Sequence, residues 1–144
     1  DLANKLLGRE VVFSGMVIHG DHRGRKMGFP TANLDLEKSL KVIPPNGVYF
    51  CRVDTPVGGF FSITNVGTRP TFDKTQRLLE THLIDFHGDL YYQTIRVRFL
   101  RRMRNESRFP NMEALVAQIQ ADMNQARDLM KAFMKAGPGE KKAL

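Results

Sequence analysis

The sequence predicts a mainly β domain, a closed antiparallel barrel with one α-helix packed on it near the C-terminus. Three observations carry this. Short runs rich in Val, Ile, Phe and Thr recur between turns built from Gly, Pro, Asn and Asp. One long segment, late in the chain, spaces its apolar residues as a helix does. No helix separates the strand-like runs, which argues against a parallel βαβ fold. At 144 residues the chain fits one domain with a core that needs no covalent staples.

Taken in order, residues 1–9 read as a short amphipathic helix or leader, with Leu2, Leu6 and Leu7 on one side. Residues 10–18, EVVFSGMVI, form the first strand, and a glycine-rich loop follows. Thr31 to Leu36 alternates weakly and reads as a short second strand. The Pro44-Pro45-Asn46-Gly47 turn precedes a strand from Val48 to Val53, and Pro56 to Gly59 turns the chain into FFSITNVG. LLETHLIDF and QTIRVRFLR supply the last two strands. The second of these has the cleanest alternation: Ile95, Val97 and Phe99 point one way, Arg96 and Arg98 the other. Asn111 then caps a helix whose stripe is Leu115, Ile119, Met123, Ala126, Met130 and Phe133. Gly137-Pro138 stops it and leaves a short tail.

Composition narrows the function classes. With 42% apolar and 26% charged residues the chain is ordinary globular material, and no apolar run approaches the roughly 20 residues of a membrane helix. No signal-peptide pattern opens it. Cys51 is the single cysteine and sits in an apolar run, so it reads as a small buried hydrophobe in a reducing, cytoplasmic setting. The net charge of +7 suits nucleic acid and small polyanions such as nucleoside triphosphates equally.

Three stretches carry candidate chemistry. In HGDHRGRKMGFPTANLDL, Gly20, Gly24 and Gly28 let backbone amides approach an anion, and Arg23, Arg25 and Lys26 add charge at the rim. The same loop reads equally as a solvated hairpin. Thr31 and Asn33 follow two apart, so in an extended segment a hydroxyl and an amide oxygen share one face. Both are hard neutral oxygens of the kind that serve a Mg²⁺ retaining water and phosphate ligands. The alternative is a plain turn or strand start. In LLETHLIDF, alternation puts Glu80, His82 and Ile84 on one face and Leu79, Thr81, Leu83 and Asp85 on the other. A carboxylate within an apolar strand is costly unless paired or working, so Glu80 is either a rim ion pair or a general base. Six arginines lie between Arg96 and Arg108, beside Phe99 and Phe109, with Glu106 able to hold one of them. That material suits a stacked heterocycle, an RNA surface or merely a solvated face. The histidines have no metal-ligand spacing, and zinc is disfavoured.

GRKMGFPTANL, NVGTRPTF, LETHLIDFHGDLY and RRMRNESRF, in this order, resemble the riboflavin kinase family over nearly the whole chain, from about Leu7 to about Leu129. The likeness is nearest to the C-terminal kinase module of the bifunctional bacterial flavokinase/FMN adenylyltransferases. It implies a six-stranded Greek-key barrel that transfers the ATP γ-phosphoryl group to the ribityl 5′-hydroxyl of riboflavin, giving FMN. Carried over by residue, the resemblance makes Glu80 the catalytic base and Thr31 and Asn33 the Mg²⁺ and nucleotide ligands. Gly20, Gly24, Arg25 and Gly28 would shape the phosphate loop, and Leu83, Asp85 and Tyr91 would border the adenine nucleotide. Arg104, Ser107 and Phe109 would meet the flavin. Tyr92 stands where the family usually has glycine after Asp-Leu-Tyr, and Ser107 is a variable position in it. The expected organisation is a kinase domain over 1–136, with 1–9 leading in from an absent nucleotidyltransferase domain, 111–136 as the helix and 137–144 as tail. Two other readings stand beside it: a basic barrel that binds RNA or single-stranded nucleic acid, and a catalytically idle flavin-binding module.

Overall fold

A computed structural model of the chain describes residues 11–18, 31–35, 43–70 and 75–135. The leader, the glycine-rich loop with Gly20, Gly24, Arg25 and Gly28, and the tail over 137–144 lie outside the described residues. The described residues form six strands: β1 (Val11–Ile18), β2 (Ala32–Asp35), β3 (Gly47–Thr55), β4 (Gly58–Pro70), β5 (Thr75–Leu83) and β6 (Thr94–Arg104). Among the described residues one helix, α1, runs over Met112–Lys135. The strands close in the order β1-β2-β5-β4-β3-β6, with every neighbouring pair antiparallel. Sequence neighbours pair through the β3–β4–β5 meander, whereas β2 meets β5 and β6 inserts between β3 and β1. This is the expected Greek-key barrel.

Alternation decides which side chains fill the barrel. Phe13, Val53 and Val97 meet in register on three adjacent strands, and Leu34, Leu79 and Val66 do so on three others. All six are buried. Ile95, Val97 and Phe99 point inward as the sequence predicts, each at most 1% exposed. The alternation of β6 then breaks. Two register shifts against β3 leave Leu100 and Met103 without an opposite residue. Both bulge residues join the apolar cluster beneath the helix, so the irregularity re-aims side chains from the barrel interior to its outer wall.

That outer wall is where α1 lies. Ala126 and Phe133, one helical face, pack on Phe50, Ile84 and Leu100. Phe50 stacks on Phe61 at 5.2 Å, and Phe133 sits within 5.5 Å and 6.1 Å of their rings. The Asn111 side chain accepts the Ala114 N–H at 2.8 Å, which makes it the N-cap the sequence predicts. Barrel core and helix core are thus two separate apolar clusters on either side of β3 and β4.

A corner at the start of β3 is held by arginines. Arg102 donates to the Tyr49 hydroxyl at 2.8 Å and to the Asn46 carbonyl at 3.1 Å, while Tyr49 donates to the Pro45 carbonyl at 2.6 Å. Arg77 donates to the Pro44 carbonyl and the Asn46 side chain. Gly47 permits this arrangement, because a Cβ there would stand 2.6 Å from the Arg102 guanidinium.

Candidate active site

The strand register builds the first part of the site. Glu80 of β5 lies opposite Asn33 of β2 on one side and opposite Asn65 of β4 on the other. Residues in register share a face with Cβ atoms about 4.5–5.5 Å apart, so the three polar side chains form one row. Because Leu34, Val66, Leu79 and Thr81 fill the interior, that row stands on the outer wall. Asn33 is buried, and Asn65 and Glu80 are half-buried. Thr31 lies just before β2, half-buried. The structure therefore brings Asn33 and Glu80 together across two strands that the sequence separates by 46 intervening positions. His82 follows on the same outer face of β5, opposite Ile63.

The second part is a pocket at one mouth of the barrel. Thr31, Ala32 and Val17 form one side, Thr81 and Leu83 another, and the turn from Phe86 to Tyr91 closes it. Of the residues expected to border a nucleotide, Thr31, Leu83 and Tyr91 line this pocket. The Thr81 hydroxyl also belongs to a buried chain, lying 2.8 Å from Thr64, which lies 3.1 Å from Ser62. Beside this chain burial pushes the Cys51 thiol up to about 12, so the thiol stays protonated and inert.

Asp85 is placed differently from the alternation. β5 ends at Leu83, and Asp85 sits in the following turn with φ of 63° rather than on the face shared by Leu79, Thr81 and Leu83. Its carboxylate accepts a hydrogen bond from Arg127 of α1 at 3.1 Å, which holds its carboxyl below the ordinary carboxylate range. Ile84, next to it, is buried under the helix. The turn that closes the pocket is thereby tied to α1 at Ile84 and Asp85. Tyr92, at its other end, also has φ of 63°, and its N–H donates to the Val17 carbonyl at 3.0 Å. A left-handed residue is needed at this position, the conformation that glycine adopts without strain.

The third part is the connection from β6 to α1. Arg104, at the end of β6, makes a two-pronged contact with Asp122: Nε at 2.9 Å and Nη2 at 2.8 Å from the two carboxylate oxygens. Asp122 is only 4% exposed, and Gln118 adds a further hydrogen bond at 2.9 Å. Arg104 Nη1 reaches the Asn105 carbonyl. Ser107 is exposed and Phe109 half-buried in the segment that follows. Glu106 does not hold an arginine: among the described residues no ion pair reaches it. Its carboxylate instead stands over Gly67, where a Cβ would overlap it.

Sequence reasoning missed two members of this arrangement. Asn65 alternates with Ile63 and Phe61 on β4, and a polar residue among outward apolar ones was its only signal. Asp122 lies seven residues after Leu115 and four before Ala126, so a carboxylate in the helix stripe marked it. Among the described residues no group of three His, Cys, Asp or Glu side chains could hold a metal, so an all-protein metal cage is absent there. The donors expected to serve Mg²⁺, the Thr31 hydroxyl and the Asn33 amide oxygen, are of the kind that fit an ion held mainly by substrate phosphates. The outward aromatics of β3 and β4 lie under α1, and Arg52 sits 4.6 Å over the Phe61 ring. No row of exposed strand aromatics, as single-stranded nucleic acid needs, occurs among the described residues.

Comparison with known proteins bears on the family and the fold. The family model for flavokinase, riboflavin kinase, matches residues 7–130. The chain is 42% identical over 127 residues to a bifunctional riboflavin kinase/FMN adenylyltransferase of Haemophilus influenzae, a match covering 88% of this chain and 41% of that protein. It spans about two-fifths of the length of the curated relatives it matches. A crystal structure of a protein described as a macrolide-efflux protein from Streptococcus pneumoniae superposes with a TM-score of 0.78 at 36% identity, over 88% of this chain and 41% of that one. Riboflavin kinase from Trypanosoma brucei superposes with a TM-score of 0.61 at 24% identity, over 85% of this chain and 81% of that one, and so shares the fold.

Proposed function

The chain belongs to the riboflavin kinase family, and on that premise we propose that it transfers the γ-phosphoryl group of ATP to the ribityl 5′-hydroxyl of riboflavin, giving FMN and ADP. The observation that carries this is the register that sets Glu80 beside Asn33, with Thr31 at the pocket mouth one strand end away. A carboxylate for the acceptor hydroxyl and two neutral oxygens for a phosphate-bound cation thus occupy one corner of the barrel.

In this reading Glu80 orients the 5′-hydroxyl and takes its proton as the oxygen–phosphorus bond forms. The bond from the γ-phosphorus to the bridging oxygen breaks, and ADP leaves with its electrons. Phosphoryl transfer asks little covalent work of a protein, so positioning and charge neutralisation supply most of the acceleration. Thr31 and Asn33 would hold Mg²⁺, which when bound neutralises phosphate charge. Leu83, Tyr91 and the Phe86–Tyr91 turn would seat the nucleotide base, with Asp85 holding that turn through Arg127 rather than touching the base. Gly20, Gly24, Arg25 and Gly28 would serve the phosphates. Phe109 would stack against the flavin, Ser107 would contact it through backbone, and Arg104 would do so with the donors left over from Asp122.

The kinase domain is proposed to span 1–136, with 111–136 as its helix, 1–9 as a lead-in and 137–144 as a tail. It would act as the C-terminal part of a larger bifunctional chain, in the cytoplasm. No helix among the described residues is long and apolar enough to cross a membrane. The test is direct: incubation with riboflavin, ATP and Mg²⁺ should yield FMN, resolved by chromatography. Formation of no FMN under saturating substrates would remove the proposal.

A further inference from the structure

The row on the outer wall does not end at Glu80. Asn65, its cross-strand partner, is half-buried. Gly67 is the next residue of β4 on that face, and it has no side chain to fill the wall. Into the space above it come two polar groups from different elements. The Glu106 carboxylate stands where a Gly67 Cβ would be, and Asn65 Nδ2 lies 3.4 Å from that same position. Neither the Asn65 amide nor the Glu106 carboxylate has a hydrogen-bond partner among the described residues. Glu106 is exposed, whereas Arg102 and Arg104 nearby are committed to Asn105, Tyr49 and Asp122.

We propose that Asn65 and Glu106 form, over the bare backbone of Gly67, a subsite for the hydroxyl-bearing chain of the acceptor. The inference rests on the kinase reading above and adds the residues that hold the acceptor next to Glu80. The chemistry is matched to a polyol. Each hydroxyl both donates and accepts, and here an amide offers both roles while a carboxylate accepts two bonds. The position is matched as well: Asn65 adjoins Glu80 directly, so a chain lying along Asn65 and Glu106 ends with its terminal hydroxyl at the proposed base. Gly67 is required because any side chain there would displace the Glu106 carboxylate.

The experiment compares two flavins on the same protein. Riboflavin carries the ribityl chain, and lumiflavin has the same ring system without it. Fluorescence titration of Asn65→Ala, Glu106→Gln and Gly67→Ala should show riboflavin binding weakened roughly tenfold in each, the size expected for a lost hydrogen bond to a buried or charged partner. Lumiflavin affinity and the KM for ATP should stay at the wild-type value. Unchanged riboflavin affinity in Glu106→Gln, or an equal loss for lumiflavin in that variant, would overturn the subsite. Glu106 is exposed, so its variant decides the matter even if the β4 variants fold poorly. Failure of the kinase reading is separately visible, because then the wild-type protein itself makes no FMN.

Discussion

Glu80 is placed by register, and its proposed role has a specific kinetic signature. Glu80→Gln keeps the size and most hydrogen bonding of the side chain but removes the proton acceptor. Turnover should fall by roughly 10²–10⁴, the usual contribution of a general base, while the KM values for riboflavin and ATP move little. Steady-state kinetics measure this, and a near-native kcat would mean that another group takes the proton. Tyr92 offers a test of a different kind. Its φ of 63° sits in the left-handed region, and the residue is 66% exposed. Strain there costs about 1–2 kcal/mol for a residue with a Cβ, against about 0.5–1 kcal/mol of extra chain entropy for glycine. Tyr92→Gly should therefore stabilise the fold by about 0.5–1 kcal/mol, read as a higher urea midpoint. Tyr92→Ala keeps the Cβ and should bring no such gain. An equal gain from alanine would assign the effect to the ring rather than to the backbone. The glycine that the resemblance sets at this position would thus have a physical cause, the left-handed backbone that Tyr92 adopts.

Between elements, the joint that matters most is β6 to α1. Asp122 is an almost fully buried carboxylate on the helix face that meets the barrel, and Arg104 grips both of its oxygens. Breaking one side of such a pair leaves a buried charge uncompensated, whereas replacing both sides by apolar groups of like volume is often neutral. Arg104→Met should therefore destabilise by about 3 kcal/mol, at the low end because Gln118 still donates to Asp122 and Arg104 is about one-quarter exposed. The double variant Arg104→Met/Asp122→Leu should recover most of that loss. Urea unfolding of the two singles and the double reads the coupling directly, and additive losses would show that the pair does not act as a unit. The elements themselves were legible: β1, β3, β6 and α1 follow their sequence periodicity to within a few residues. What periodicity could not carry was the pair of bulges in β6, because a shift in register shows only against the partner strand. Asp85 was misplaced for a related reason. Alternation continues past Leu83 in the sequence, but the chain there leaves the sheet to pack Ile84 beneath the helix.

At the scale of the whole molecule, two apolar clusters share the same β3 and β4 strands, one inside the barrel and one under the helix. The candidate site occupies the outer wall and barrel mouth that the helix leaves uncovered. Its Thr31, Asn33 and Glu80 were legible as a set only through the family likeness, since nothing local tells that β2 and β5 are neighbours. Asn65 and Asp122 became visible only in three dimensions. The barrel interior has one consequence that can be measured without substrate. Burial raises the Cys51 thiol from 9.0 to about 12, and burial also raises the Tyr49 hydroxyl. In the unfolded chain the thiol ionises near its ordinary value, while in the folded chain it keeps its proton. The folded state therefore binds the proton more tightly, so the stability is intact below pH 9 and is lost as pH rises towards about 12. Over that window one fully linked proton costs about 1.4 kcal/mol per pH unit. Urea unfolding of the wild-type protein should thus lose stability from pH 9 upward, and Cys51→Ala should lose it less steeply by close to one proton. Tyr49 should leave a remaining alkaline slope of the same sign in that variant. The same burial makes the native thiol unreactive, so iodoacetamide should modify Cys51 in urea and leave it intact in the folded protein at pH 8. Equal alkaline slopes for Cys51→Ala and wild type would show that the interior does not hold this thiol protonated.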